Sequence, residues 1–251
     1  TLTISQINGV DVVAGDTVTL ATGETITVNA DGTITATPDD ELNSNTFTYT
    51  VEDEDGNTDV AFVTLNTVPC FTAGTRVLTP SGERAIETLV EGDRVVTRDH
   101  GAQPLRWIGR RRVPGTGSFA PVVIEAGALG NHDRLVVSQQ HRILRRDARA
   151  QLALGDGEVL VKAKHLVNGT TVRLDASGHE VDYVHILFDR HEIVWANGIE
   201  AESYHPGPET MDDGIREELS ALFPELELEA DFGPSARRDA KAHEARALLE
   251  Q

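Results

Sequence analysis

The sequence predicts a mainly β protein: a small β-sandwich, then a larger all-β domain, then a short, partly helical extension. Three observations predict it. Apolar and polar residues alternate with period two along most of the chain. Turn pairs such as Asn8-Gly9, Asp31-Gly32, Asp55-Gly56 and Asn197-Gly198 punctuate that alternation. The charge also changes abruptly at two places. Residues 1–69 hold twelve acids and no Lys or Arg, residues 70–204 hold 17 acids and 17 bases, and residues 205–251 hold twelve acids and five bases, for a net charge of −19. A chain of 251 residues can bury a sizeable core in one large or two small domains. The expected divisions are 1–66, 67–204 and 205–251.

Within 1–66, Thr17–Leu20, Glu24–Asn29, Thr33–Thr37, Thr46–Glu52 and Asp59–Leu65 read as strands. Val18/Leu20, Ile26/Val28, Phe47/Tyr49/Val51 and Val60/Phe62 each share a face. Short strands at regular spacing suit a sandwich. The ending Phe47–Leu65 resembles the cadherin-like or immunoglobulin-like repeats of bacterial surface and secreted proteins. Asp53, Asp55 and Asp59, with Glu54, gather at one turn. They are calcium candidates, because Ca2+ takes several hard oxygen ligands. The spacing is not that of an EF-hand loop, and the favoured reading is a soluble hairpin tip. No other cofactor is expected.

Residues 70–204 continue in strands: Arg76–Thr79, Arg94–Arg98, Leu105–Arg110, Arg134–Ser138, His141–Leu144, Glu158–Val161, Thr171–Leu174, Val181–Phe188 and Glu192–Ala196. Pro80-Ser81-Gly82 and Glu91-Gly92-Asp93 are turns. Arg110-Arg111-Arg112 reads as a solvated strand end. Beyond residue 209, Ile215, Leu219, Leu222 and Phe223 fall at helical spacing, and Ala240–Leu249 suits a second helix. No segment is long and apolar enough to span a membrane. So acidic a chain is a poor nucleic-acid partner. It begins at Thr1 with no Met or apolar leader, as a fragment or processed product would. The single cysteine, Cys70, excludes an intrachain disulfide.

Four patterns follow one another: Cys70-Phe71-Thr72-Ala73-Gly74-Thr75; Glu91-Gly92-Asp93-Arg94-Val95; Leu135-Val136-Val137-Ser138-Gln139-Gln140-His141; and Val184-His185-Ile186-Leu187 with His191 and Ala196-Asn197-Gly198. In this order they resemble the Hedgehog/intein (Hint) domain over about 135 residues. The first pattern resembles the block that opens with the nucleophilic cysteine. The third resembles the Thr-x-x-His block, with Ser138 in the threonine place. Arg106–Gly109 and Asp189–Glu192 resemble stretches of bacterial Hint domains attached to secreted or surface proteins.

The resemblance implies an all-β horseshoe with pseudo-twofold symmetry, and self-processing at the Pro69–Cys70 bond. A thiol held against its own preceding carbonyl can turn that amide into a thioester. The leaving nitrogen needs a proton, which assigns general-acid work to His141. Ser138 orients the scissile amide. His185 supports acid/base chemistry, near a position where many inteins carry aspartate. His191 and Asn197 are supporting candidates. Singly, each has a plainer reading, as a core or surface histidine or a turn residue. Where inteins end in His-Asn, this chain has Glu202-Ser203, so no asparagine can cyclise and full splicing is not expected. The thioester would pass to water, a thiol, an amine or a protein lysine, with the chain's own N-terminal segment as substrate. Pro69 is a crowded acyl donor, so slow processing is expected. Secretion or surface display suits the acidic module and single cysteine. The rivals are a Hint-shaped interaction module that does not cut, a metal site using His132, His141, His185 and His191, and a Cys-His hydrolase acting on other substrates.

Overall fold

A computed structural model describes residues 2–20, 24–37, 44–66, 69–146, 151, 155–205 and 233–249. The chain divides into two compact units, the first formed mainly by Thr1–Thr67 and the second mainly by Val68–Glu209 and Phe223–Gln251. The helix expected around Ile215–Phe223 lies outside the described residues.

The first unit has two antiparallel sheets. One has four strands, in the order Val10–Asp11, Thr3–Ile7, Ser44–Glu52, Thr58–Asn66. The other has three: Thr17–Thr19, Thr25–Val28 and Ile34–Thr37. Ile7, Val12, Leu20, Ile26, Val28 and Phe47 form the core. Asn8 (φ 48°) and Gly9 (φ 74°) turn the first hairpin through the left-handed region, which is why that pair is needed there. Val60 and Phe62 do share a face, but it is the solvent face, 53% and 74% exposed. The register pairs Phe47 with Val63 and Tyr49 with Ala61, so with period two the odd-numbered residues face inward and Phe62 lies opposite Thr48. At the acidic tip, one Asp53 carboxylate oxygen accepts the N–H groups of Asp55 and Asn57, both at 2.9 Å, and the other accepts Asn57 Nδ2. Those donors hold the Asp53 carboxyl below its ordinary range. Asp53 therefore spends its acceptor capacity on its own turn.

The second unit holds a nine-stranded and a six-stranded sheet. The six-stranded sheet positions the site. Its order is Trp107–Pro114, Glu180–Leu187, Phe71–Thr72, Leu135–Val137, Val122–Ile124, Val172–Leu174. The two-residue strand Phe71–Thr72 is wedged between two longer ones, with Phe71 paired to both Val184 and Val137. Cys70 therefore emerges between the strand carrying His185 and the strand end carrying Ser138.

The pattern around Cys70 occurs twice. Thr75 N–H donates to Thr72 O, and His141 N–H to Ser138 O. Each turn leads into a hairpin, Arg76–Thr79 with Gly82–Ala85 and Arg142–Arg146 with Glu158–Lys162. Each hairpin leads into a 3-10 turn, Ile86–Thr88 and Ala163–Leu166. The first residue of each 3-10 turn then donates its N–H back to Thr75 O or His141 O, both at 2.8 Å. Buried Leu89 and Val95 match Leu166 and Val172, and Gly92 and Gly169 both have positive φ. His141 thus stands where the first copy has Thr75.

The C-terminal segment closes the nine-stranded sheet. Arg238–Asp239 pairs parallel with Glu158–Lys162, and Ala242–Leu249 is helical, starting two residues later than expected.

Candidate active site

Cys70 is 7% exposed and packs against Val113, Tyr183 and Val181. Its Sγ lies 3.4 Å from His185 Nε2. The other nitrogen of the same ring, Nδ1, lies 3.1 Å from the carbonyl oxygen of Pro69. A carbonyl oxygen carries no hydrogen, so Nδ1 must be the donor, which leaves Nε2 as the acceptor for the thiol. One imidazole therefore spans the Cys70 thiol and the carbonyl oxygen of the residue before it. The nitrogen of the same peptide bond donates to Ser138 Oγ at 3.0 Å, and Ser138 N–H donates to Cys70 O at 2.9 Å. The Cys70 thiol and the carbonyl oxygen and amide nitrogen of the Pro69–Cys70 peptide unit are each in contact with His185 or Ser138.

His185, expected as a strand residue facing either solvent or the site, is 4% exposed. Burial, reinforced by the charge of Arg111 and opposed by the Pro69 hydrogen bond, pushes its pKa down to about 4. Burial pushes the Cys70 thiol up, against Ser138 and Arg111, which pull it down. The resting pair is therefore neutral thiol and neutral imidazole. His185 is held by rings: Trp107 lies nearly parallel with it at 6.2 Å, and Tyr204 meets it edge-on at 5.8 Å. Gly109, opposite His185 in the register, makes this arrangement fit. A Cβ there would lie 2.0 Å from the Trp107 ring.

His141 is 1% exposed, with neither ring nitrogen hydrogen-bonded among the described residues. Its ring packs 4.2 Å from that of Phe71, next to Cys70. Burial lowers its pKa to about 4, despite the opposing Glu202 charge. Ser138, rather than His141, bonds the Cys70 nitrogen.

His191 lies in a different environment. Its Nδ1 accepts the Ala236 N–H at 3.0 Å, so its proton sits on Nε2, 3.2 Å from Glu202 Oε2. Its ring stacks on His205 at 4.6 Å. Glu202 is fully buried. It accepts the backbone N–H of Arg142 at 2.8 Å and Arg142 Nε at 2.6 Å. Burial raises the Glu202 pKa, but Arg142 and His191 outweigh it and hold the group at about 2. Arg142 also pairs with Asp239 of the C-terminal segment.

Asn197 is a framework residue. It sits at φ 49°, its Oδ1 accepts Arg76 N–H and its Nδ2 donates to Arg134 O. His132 is a surface group bound to Glu83, with Asp133 beside it. Among the described residues no group of three His, Cys, Asp or Glu is disposed to hold a metal.

Sequence reasoning missed Trp107, Tyr204, Arg142 and Glu202. A signal existed in the Arg106–Gly109 and Asp189–Glu192 stretches. Arg106 joins them through two hydrogen bonds to Asp189, at 2.6 and 2.7 Å, and Trp107 and Gly109 shape the wall behind His185. The arginine run is also more than a solvated strand end. Strand pairing continues through it to Pro114, Arg110 donates to Glu87 O and Leu89 O, and Arg112 pairs with Asp182.

One imidazole touches both a buried thiol and the carbonyl before it, on a duplicated β framework, an arrangement compatible with a self-processing domain. The comparisons with known proteins agree at the family level. The Hint-domain model matches residues 69–208, and the chain belongs to that family. The bacterial Ig-domain model matches residues 1–66. Among solved structures, the chain is similar to the bacterial intein-like domain from Clostridium thermocellum, at 17% identity over 54% of this chain and 98% of that one, with a TM-score of 0.39. It is also similar to the gp41-1 intein, at 14% identity over 54% of this chain and 98% of that one, with a TM-score of 0.34. No curated protein matches.

Proposed function

We propose that the domain converts the Pro69–Cys70 amide into a thioester and surrenders the N-terminal segment to an outside nucleophile, without splicing. The observation that carries this reading is His185, which touches the Cys70 thiol with one nitrogen and the Pro69 oxygen with the other.

The steps follow from that contact. Nε2 takes the thiol proton as Sγ attacks the Pro69 carbonyl carbon. The ring is then cationic, and its Nδ1–H donates to the oxygen as negative charge grows there. The C–N bond breaks as the Cys70 nitrogen gains a proton. Ser138 Oγ holds that nitrogen in place. The cationic form of His141, in the same turn, supplies the proton, and the proton taken up by His185 restores it, so that no net proton is gained. The net change is an S–C bond formed, a C–N bond broken and the thiol proton moved to the amine. A neutral, buried His141 is seldom charged near pH 7, which matches the slow processing expected at a proline carbonyl. By the resemblance, Glu202 and Ser203 take the places of the inteins' terminal His-Asn, so no asparagine is there to cyclise. The Glu202 carboxylate is bound ionised to Arg142, which supports processing that stops after the first step.

The test uses the full chain with hydroxylamine at mildly alkaline pH. A fragment of residues 1–69 bearing a hydroxamate at Pro69, absent from the Cys70→Ala variant, is the expected result. The same fragment from both chains would sink the proposal.

A further inference from the structure

The strand Trp107–Pro114 pairs with Glu180–Leu187 without a register break, placing Gly109 opposite His185, Arg111 opposite Tyr183 and Val113 opposite Val181. With period two, Trp107, Gly109, Arg111 and Val113 share one face, and directly opposite residues share it too. This is the face on which Cys70 packs, since Val113, Tyr183 and Val181 are its neighbours. Arg111 therefore stands on the reactive face, between the glycine behind His185 and the valine against the thiol.

Its two neighbours in sequence are otherwise engaged. Arg110 caps carbonyls and Arg112 pairs with Asp182. Arg111 has no hydrogen-bond or carboxylate partner among the described residues, and its guanidinium sits 5.8 Å over the Phe119 ring. Phe119 is tied to the same face, because its carbonyl accepts the Tyr183 hydroxyl at 2.9 Å. The exposed side chain is thus laid along an aromatic ring, and no carboxylate among the described residues pairs with its charge.

We propose that Arg111 is a positioning residue for the processing site: its charge, on the thiol's face of the sheet and without a carboxylate partner, stabilises the Cys70 thiolate. This rests on the reading of Cys70 as a nucleophile. The other polar groups that bear on the thiol are His185, Ser138, the Tyr183 and Tyr204 hydroxyls and the Glu202 carboxylate. Burial keeps both phenols un-ionised, and Glu202 opposes the thiolate. Arg111 is the cation that lowers the thiol pKa, and it disfavours a charged His185 at the same time. Its charge favours the thiolate and opposes the imidazolium of the attack step, so alkylation, which scores the thiolate alone, is the reaction that reads it.

The experiment measures alkylation of Cys70, the sole cysteine, in the intact full chain by mass spectrometry at fixed pH. It uses neutral iodoacetamide and anionic iodoacetate. Arg111→Met keeps the stem on Phe119 and removes the charge, Arg111→Lys restores a charge, and Arg112→Gln is the control. Circular dichroism verifies folding. With both reagents the Met variant is expected to react at least about threefold more slowly, with Lys recovering most of the rate and the control unchanged. An unchanged rate in Arg111→Met would overturn the proposal. So would a loss confined to iodoacetate, which would mean that Arg111 only attracts anions. Alkylation does not require backbone cleavage, so a chain that loses reactivity on substitution but never cleaves overturns the processing reading alone.

Discussion

At the scale of single residues, the account turns on His185. Replacing it by Gln keeps polar atoms near Sγ and the Pro69 oxygen but removes the base. The expected loss in the rate of hydroxylamine trapping is roughly 10²-fold or more. A rate within a few-fold of the parent would transfer the base role elsewhere. Arg142 carries a different expectation. Truncating it to Met leaves the Glu202 carboxylate buried without its main counter-charge, which costs roughly 3–5 kcal/mol. Urea unfolding should show this, with much of the loss recovered in the Arg142→Met/Glu202→Gln double variant. The residues of the site were legible unevenly. Cys70, Ser138, His141 and His185 could be picked out because the order of patterns is visible in a linear sequence. Which imidazole touches which atom was not visible. Sequence reasoning gave His141 the main role and His185 a supporting one, and His185 is the ring in contact with both the Cys70 thiol and the Pro69 oxygen. That contact is set by the register of a two-residue strand, which no periodicity can reveal.

At the scale of elements, the Arg-Trp-Ile-Gly strand is a wall. Its glycine is dictated by the Trp107 ring lying across it. Gly109→Ala should push that ring off His185, costing roughly 1–3 kcal/mol of stability. Trapping should slow with little change in the overall circular dichroism. Unaltered trapping would remove Trp107 from the positioning of His185. The C-terminal segment is the other informative element. Ala236 fixes the His191 tautomer, Asp239 pairs with Arg142, and Arg237 bonds Asp99 and Glu158. The helix at Ala242–Leu249 was readable from its alanine and leucine content. The short parallel strand before it was not, since two residues carry no period. Likewise, Val60 and Phe62 were rightly placed on one face, but period two cannot say which face is buried.

At the scale of the whole molecule, buried titratable groups set the response to acid. His141 and His185 have folded-state pKa values near 4, below the ordinary 6.5. Their neutral forms are favoured by folding, so that stability is present above about pH 6.5 and lost as the pH falls to about 4. The Glu202 carboxyl is depressed from 4.5 to about 2, so its contribution is present above 4.5 and lost between there and about 2. The stability of the second unit should therefore fall by roughly 1 kcal/mol or more per pH unit below pH 6.5. Urea unfolding from pH 8 to 4 measures this, and a flat profile would contradict the burial assigned to both imidazoles. The mainly β class and the charge steps were readable from the chain, because alternation and composition are local. The duplication was harder to see. Its two copies share turns, glycines and buried aliphatics, but the hairpin loop in the second is much longer.

The central claim is that Cys70 attacks its own preceding carbonyl. The most direct measurement is intact-mass spectrometry of the full chain and of Cys70→Ala, each incubated with a small thiol at mildly alkaline pH. The account predicts a fragment of residues 1–69 carrying the thiol as a C-terminal thioester, paired with a fragment beginning at Cys70, and an intact Cys70→Ala chain. A folded parent chain that keeps its full mass throughout would contradict it.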